Sequence, residues 1–147
     1  MSEAQLSLTN DQLLSTTRAV RKRLDFERDV PMSTIEECMD LAVQAPSGSN
    51  AQGWQFVFVT DQEKRQKIGE YYREAFSHYR HMPFAIHKLH SDSADASLAN
   101  SQERSASSAD YLADNMAKAP VLMIPCIAGR IDNAEGANAS AQAGTMG

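Results

Sequence analysis

The sequence predicts a mixed fold of helices and strands, of the α/β or α+β class. Apolar residues at helical spacing alternate along the chain with two short apolar runs of the kind that form strands. The 147 residues are 42% hydrophobic and 22% charged, which is typical of one globular domain. We therefore expect a single domain over residues 1–147, long enough to bury a core.

The first half of the chain contains two predicted helices. Thr9 and Gln12 have the spacing of a capping box before the first, DQLLSTT, and Ser33 with Glu36 has it before the second. Pro46 is expected to end the second helix, because proline cannot continue the backbone hydrogen-bond ladder. The apolar face of that helix consists of Ile35, Cys38, Met39, Ala42 and Val43.

The next elements are a strand and a third helix. The run WQFVFV is aromatic and β-branched, which predicts a buried strand. Asp61 is placed to cap the helix that follows. An aromatic stripe at helical spacing is more often core or interface than ligand site, and we interpret this one as such. It comprises Ile68, Tyr71, Tyr72, Ala75, Phe76 and Tyr79.

The remaining sequence gives less regular patterns. Residues 83–108 are polar and show no periodicity, so we expect an irregular segment there, a mobile lid or loop. SADYLADNMAKA predicts a short helix that ends at Pro120, and VLMIPCIAG predicts a second strand in which Pro125 favours an edge position. RIDNAEGANASAQAGTMG predicts no regular element. Because two strands alone do not form a stable sheet, we expect further strands from a partner chain or from sequence that this chain lacks.

Composition argues against several classes of function. A net charge of −5 disfavours nucleic-acid binding through bulk charge. The chain has no apolar run of membrane-spanning length and its N-terminus lacks signal-peptide features, so we expect a cytoplasmic protein without a membrane partner. Cys38 and Cys126 are expected to be reduced core thiols. We expect no metal site, and a mobile, partly solvated set of histidines, since the spacing of the four matches no known zinc pattern: His78, His81, His87 and His90.

The stretch QAPSGSNAQGW, residues 44–54, is here called the amide loop, and it has the composition of a ligand-binding connection. Gly48 allows a flat ligand to approach the backbone closely. Asn50 and Gln52 each offer an amide donor and a carbonyl acceptor, which can match the edge of a heterocycle. The loop has no His, Cys or acidic residue, so we expect it to bind a ligand rather than to react.

The stretch RAVRKRLDFER, residues 18–28, is here called the basic segment, and it holds five of the 14 basic residues. Arg18, Arg21 and Lys22 can pair with a phosphate or with an electron-rich ring edge, although a solvated basic face is the alternative. Neither GxGxxG nor GxxxxGK[ST] occurs. Any nucleotide is therefore held differently from a Rossmann or P-loop ligand.

Both stretches occur in TTRAVRKRLDFERDVPMSTIEECMDLAVQAPSGSNAQGWQFVFVTD, which resembles the opening half of a flavin-dependent nitroreductase family protein. In that family a basic segment, a helix, an APS-x-x-N-x-Q loop and a buried strand follow in this order, and KAPVLMIPCIAG is similar to a later strand. The resemblance implies an α+β sandwich with a central antiparallel sheet flanked by helices. It also implies a homodimer with FMN at the subunit interface. This chain would be the N-terminal two-thirds of that domain, truncated at the C-terminus.

The resemblance implies a set of cofactor-binding residues and no catalytic side chain, because the chemistry lies on the flavin. Arg18 would face the FMN phosphate, and Lys22 the N1/O2 edge, where positive charge stabilises the reduced ring. The amide loop would contact the isoalloxazine ring or ribityl chain of the FMN held mainly by the other subunit. The implied set is Arg18, Ala19, Val20, Lys22, Pro46, Ser47, Gly48, Asn50 and Gln52.

The activity implied by the resemblance is oxidation of NADH or NADPH with reduction of a nitroaromatic, quinone or similar acceptor, by a ping-pong route. Some relatives of this fold instead use reduced flavin with oxygen or remove halogen from aromatic substrates. Outside enzymes, the alternative is a truncated, non-enzymatic remnant or a partner-binding module of the same fold.

Overall fold

The computed structural model describes residues 7–89 and 93–127, and their architecture is α+β, as predicted. The two strands form an antiparallel pair, and helices account for most of the other described residues. No helix within these ranges is long and apolar enough to cross a membrane. The elements are α1 (Asn10–Thr16), α2 (Met32–Ala42), β1 (Trp54–Val59), α3 (Gln62–Tyr79), α4 (Ala96–Asn115) and β2 (Leu122–Ile127), with short 3-10 turns at Gly48–Asn50 and Met116–Lys118.

The N-terminal helices confirm one of the two predicted capping boxes. Thr9 Oγ1 accepts from Gln12 N at 3.2 Å, and Gln12 Oε1 accepts from Thr9 N at 2.9 Å. The box predicted at Ser33 is wrong, because α2 begins at Met32 with Pro31 as its N-cap and no side-chain cap bond. Ser33 therefore lies inside the first helical turn, where its side chain cannot cap the helix.

The apolar face predicted for α2 is only partly buried. Ile35 is the one buried residue of that helix, and Cys38 is exposed. Both cysteines are free thiols, as predicted, but the predicted core position is wrong for Cys38, and Cys126 is only partly buried. The helix ends at Ala42, before it reaches Pro46.

Both predicted strands are confirmed, and they pair over their full length. Trp54 lies opposite Ile127 and Val59 opposite Leu122. The prediction that β1 is a buried strand is wrong except at Val59, because the other residues of β1 are exposed or only partly buried and Val57 is 48% exposed. In the described part of the chain each strand has one neighbour, so Pro125 lies in a strand with an open edge, as its missing N–H requires.

The core lies around α3. Asp61 Oδ1 accepts from Lys64 N at 2.9 Å, which confirms the predicted cap. Phe76 is buried, and its ring contacts those of Tyr72, Tyr79 and His87 at centroid distances of 5.8–6.2 Å. The aromatic stripe therefore contributes to the core at Phe76. The buried hydrophobic residues are Ile35, Val59, Phe76, Ala85 and Ala113.

The irregular segment predicted for residues 83–108 is wrong from residue 96 onward, where the chain is helical. Residues 96–115 form the 20-residue helix α4, capped by Asp95 Oδ1, which accepts from Ser97 N at 2.8 Å. The short helix predicted in SADYLADNMAKA is the end of α4 with the following 3-10 turn. Periodicity was hidden because the two buried positions of α4 are Gln102 and Ala113, neither a large apolar residue. A lid role for residues 83–108 stays a prediction.

The connection from α4 to β2 packs closely on α3. A Cβ placed on Gly69 would lie 2.8 Å from Ala117 Cβ, so the two backbones approach at a position that needs glycine. Arg65 Nη1 donates to the carbonyl oxygens of Ala117, at 3.2 Å, and of Ala119. These contacts hold the segment that leads into β2 beside the segment that leaves β1. The prediction for RIDNAEGANASAQAGTMG lies outside the described residues.

Candidate functional site

The amide loop is held together by its own polar groups. Ser47 Oγ accepts from Gln52 N at 3.0 Å, and Gln52 Nε2 donates to Asn50 Oδ1 at 2.9 Å. Asn50 N donates to Ser47 O at 3.0 Å. Three predicted binding residues are thereby brought together by local bonds.

The backbone of this loop is strained. Ser49, Asn50 and Gln52 have φ angles of 54°, 55° and 44°, all in the left-handed region. Asparagine tolerates this region, but serine and glutamine are rarely found there, and each such residue costs about 1–3 kcal/mol. Strain of this kind is concentrated at ligand-binding sites, so the loop conformation supports a binding role.

The loop still offers hydrogen-bonding groups to a ligand. Asn50 Nδ2 and Gln52 Oε1 take part in no hydrogen bond within residues 7–89 and 93–127, and both side chains are exposed. A Cβ on Gly48 would meet nothing within 4 Å, so the face of the loop is open there. Pro46, which precedes this turn, is also exposed. One amide donor and one acceptor on an open face fit the edge of a flat heterocycle such as a flavin.

The basic segment supplies positive charge. Arg18 Nη1 donates to Thr17 O at 2.7 Å, and Lys22 Nζ donates to Ser107 Oγ of α4 at 2.7 Å. Neither cation has a carboxylate partner in the described part of the chain, so each retains its full charge for an anionic group. Ala19 and Val20, also predicted to bind the cofactor, are exposed and offer only backbone groups for hydrogen bonding.

The two halves of the predicted site are not bonded to each other. Among the described residues, no hydrogen bond or ion pair joins residues 18–22 to residues 46–52. The bonds of Lys22 lead to α4, whereas those of the amide loop stay inside the loop. Within the described part of the chain, the predicted residues therefore form two sets that no hydrogen bond connects.

Tertiary structure adds two features that the sequence did not assign to the site. Arg21 lines a cavity of about 590 Å³ between α3 and α4. His87 Nε2 lies 3.0 Å from Asp110 Oδ1, which is also 3.6 Å from Arg80 Nη1. His87 is thus half-buried and bonded, and the predicted mobile, solvated state is wrong for it. Its Nδ1 is buried, and no hydrogen-bond partner for it occurs among the described residues.

No signal in the sequence pointed to the pairing of His87 with Asp110, because the two residues lie on different elements. Within residues 7–89 and 93–127, no group of three His, Cys, Asp or Glu side chains is arranged to hold a metal ion. The binding chemistry of the described site thus consists of amides and cations.

Comparison with known proteins adds one finding to this geometry. A family model described as the Nitroreductase family matches residues 14–146, a range that includes both the basic segment and the amide loop. Neither a curated protein nor a solved structure matches the chain.

Proposed function

We propose that this chain, which belongs to the nitroreductase family, is an FMN-dependent oxidoreductase that takes its electrons from NADH or NADPH. Family membership implies flavin-dependent oxidoreductase activity. The choice of FMN, the nicotinamide reductant and the ping-pong route to a nitroaromatic, quinone or similar acceptor are the finer parts of the proposal. The observation that carries it is the strained amide loop, whose open face presents an unused amide donor beside an unused acceptor.

The amide loop acts as the recognition element for the flat ring system. Asn50 Nδ2 donates to a ring carbonyl or nitrogen, and Gln52 Oε1 accepts from a ring N–H. The open face at Gly48 lets the ring approach the backbone. The flavin, when bound, supplies the hydride and electron transfer, so these residues only bind and orient it.

The basic segment supplies the charge that this ligand needs. Arg18 pairs with the phosphate, as guanidinium groups do through two parallel hydrogen bonds. Lys22 exchanges its bond to Ser107 Oγ for the electron-rich ring edge, where positive charge favours the reduced flavin. The segments around the site determine which electron acceptor is reduced.

A homodimer is part of the proposal. Its support is that, in the described part of one chain, no hydrogen bond or ion pair joins the basic segment to the amide loop. In a dimer, the amide loop of one subunit completes the site built on the basic segment of the other. Sedimentation analysis tests this: we expect a dimer, whereas a monomer with bound FMN would contradict the shared site.

The main test is FMN titration, followed by quenching of flavin fluorescence, on the 147-residue chain and four variants. Asn50→Asp keeps the acceptor for Gln52 Nε2 but removes the outward donor, and Gln44→Glu adds the same charge elsewhere in the loop. Lys22→Met removes a predicted flavin contact, and Arg23→Met removes a charge next to it. We expect about tenfold or greater loss of affinity for the first member of each pair only, as for a charge-assisted hydrogen bond.

A yellow protein that carries stoichiometric FMN would support the proposal, and oxidation of NADH or NADPH would then define the reductant. Equal losses of FMN affinity in each variant and its control would show that Asn50 and Lys22 do not belong to the flavin site. A colourless protein that takes up no added FMN would contradict the proposal for this chain.

The second candidate function is a non-enzymatic, partner-binding remnant of the same fold. One observation favours it: within the described residues, no large side chain is completely buried. A chain that stays colourless but forms a stable complex with another protein through the aromatic stripe of α3 would support this alternative.

A further inference from the structure

The cavity that Arg21 lines is a candidate binding site separate from the residues assigned to the flavin. It has a volume of about 590 Å³ and lies between α3, α4 and the segment after α3. We propose that this cavity binds a small aromatic carboxylate, with its ring against the aromatic residues of α3 and its carboxylate on Arg21. The residues that carry the argument are Arg21, Tyr72, Phe76, Tyr79, Ile86 and Ser105.

One wall of the cavity is aromatic. The rings of Tyr72 and Phe76 are stacked, with centroids 6.2 Å apart and planes 10° apart, and the ring of Tyr79 lies 5.8 Å from that of Phe76. Ile86 lines the cavity from the segment after α3, and its backbone N–H donates to Tyr79 Oη at 3.0 Å. That bond ties the two walls together. A planar ring placed between them gains both apolar burial and ring stacking.

The polar end of the cavity is formed by a cation without a partner. Arg21 is partly buried, and its guanidinium forms no hydrogen bond or ion pair within residues 7–89 and 93–127. A guanidinium has five N–H donors, and a partly buried cation is costly unless an anion pairs with it. Ser105 also lines the cavity, and no described hydrogen bond uses its hydroxyl. Together these groups match a carboxylate, which accepts two parallel bonds from arginine.

The lining also restricts the kind of ligand. The described lining residues include no Asp, Glu, His or Cys, so the cavity offers neither an anionic partner for a cation nor a typical metal-ligand set. A single cation balances a single negative charge. The volume lies within the range of small-molecule sites, about 300–1,000 Å³. The site therefore fits a monocarboxylate with one or two aromatic rings.

The experiment compares two probes of the same shape, 1-naphthoate and uncharged 1-naphthamide, by calorimetric titration of the whole chain. We expect the naphthoate to bind about tenfold more tightly than the amide, because only the carboxylate pairs with the guanidinium. Arg21→Met should abolish that preference, and Arg23→Met, which removes a neighbouring charge, should retain it. Ala109→Leu, which fills the cavity from α4, should weaken the binding of both probes. Circular dichroism verifies that each variant is folded.

Equal affinity for the two probes, an unchanged preference in Arg21→Met, or no binding to the wild-type chain would overturn the proposal. Saturating FMN provides a further arm, since it should leave naphthoate affinity unchanged. Displacement of naphthoate by FMN would instead assign the cavity to the flavin and overturn a separate site. A chain that binds naphthoate but not FMN would sustain this proposal and contradict the proposed function.

Discussion

Two regions of the molecule differ sharply in how much they bury. In residues 54–127, β1 pairs with β2, α3 lies against α4 with Phe76 buried, and Arg65 and Gly69 join α3 to the segment before β2. Of the described residues before Trp54, only Ile35 is buried, and Leu14 is 79% exposed. All the predicted cofactor-binding residues lie in this exposed region. Stability and the predicted flavin binding thus depend on different parts of the chain, and mutations should separate them.

The largest expected effect is at the centre of the packed region. Phe76→Ala should lower the free energy of unfolding by about 3–5 kcal/mol, because it removes a buried ring and leaves a cavity. Leu14→Ala, on exposed α1, should change it by less than about 0.5 kcal/mol. Urea denaturation followed by circular dichroism measures both. Comparable losses for the two variants would mean that the exposed region is packed in solution.

Two Gly→Ala substitutions, one in each region, test the same contrast with the same change of side chain. Gly69→Ala should destabilise the chain by about 1–2 kcal/mol, since overpacking against Ala117 costs more than the gain in helix propensity returns. Gly48→Ala meets no atom within 4 Å and should leave the free energy of unfolding nearly unchanged. Gly48→Ala should nevertheless weaken the binding of FMN, because the added methyl group covers the open face of the amide loop. A stable Gly69→Ala variant would contradict the close approach of α3 to residue 117.

In the exposed region, relief of backbone strain should raise stability. Ser49→Gly should stabilise the chain by about 0.5–1 kcal/mol, because glycine adopts a φ of 54° without steric cost, although it loses more entropy on folding. Ser33→Gly, in the helical backbone of α2, should instead destabilise it by about 0.5 kcal/mol. Thermal unfolding distinguishes the two signs. If both variants lose stability, the left-handed conformation of the amide loop is not present in solution.

The smallest expected effect concerns pH. On α3, the hydrogen bond from Lys67 to Glu70, at 2.9 Å, lowers the pKa of Glu70 below its usual value of 4.5 and raises the pKa of Lys67. A lowered carboxyl pKa adds stability above the unfolded-state pKa, and this stability is lost as the pH falls through the folded-state pKa. Glu70→Gln should therefore flatten the acid limb of the stability curve slightly, and salt should mask the effect.

The control is Glu37→Gln in α2, which makes the same change at a side chain that forms no ion pair or hydrogen bond among the described residues. Unfolding free energies measured from neutral pH down to acid pH, at low salt, give the comparison. Identical acid limbs for wild type and Glu70→Gln would show that the pair does not form.

The parts of the fold that could be predicted are those in which neighbours in sequence decide the structure. The cap at Asp61 and the box at Thr9 both join residues three positions apart. Residues 96–107 of α4 were missed because the buried position among them, Gln102, is polar and leaves no apolar period to detect.

The parts that could not be predicted depend on tertiary packing. The bond between His87 and Asp110 joins the segment after α3 to α4. The cavity beside Arg21 exists only because α3 and α4 lie side by side, and sequence spacing carries no information about that arrangement. The sequence therefore identified the basic segment as a source of cations, but it could not identify which group or cavity each of these side chains contacts.

The pairing of β1 with β2 has a consequence for the order in which the protein folds during translation. Residues 60–121 separate the two strands, so β1 has left the ribosome long before its partner has been translated. Helices form locally and quickly, whereas a pairing between distant segments must first close the intervening loop. Folding of α3 and α4 thus brings the strands together. Trp54, the last residue of the amide loop, can pair with Ile127 only after residue 127 has emerged from the ribosome. Until then, β1 has no paired strand beside it.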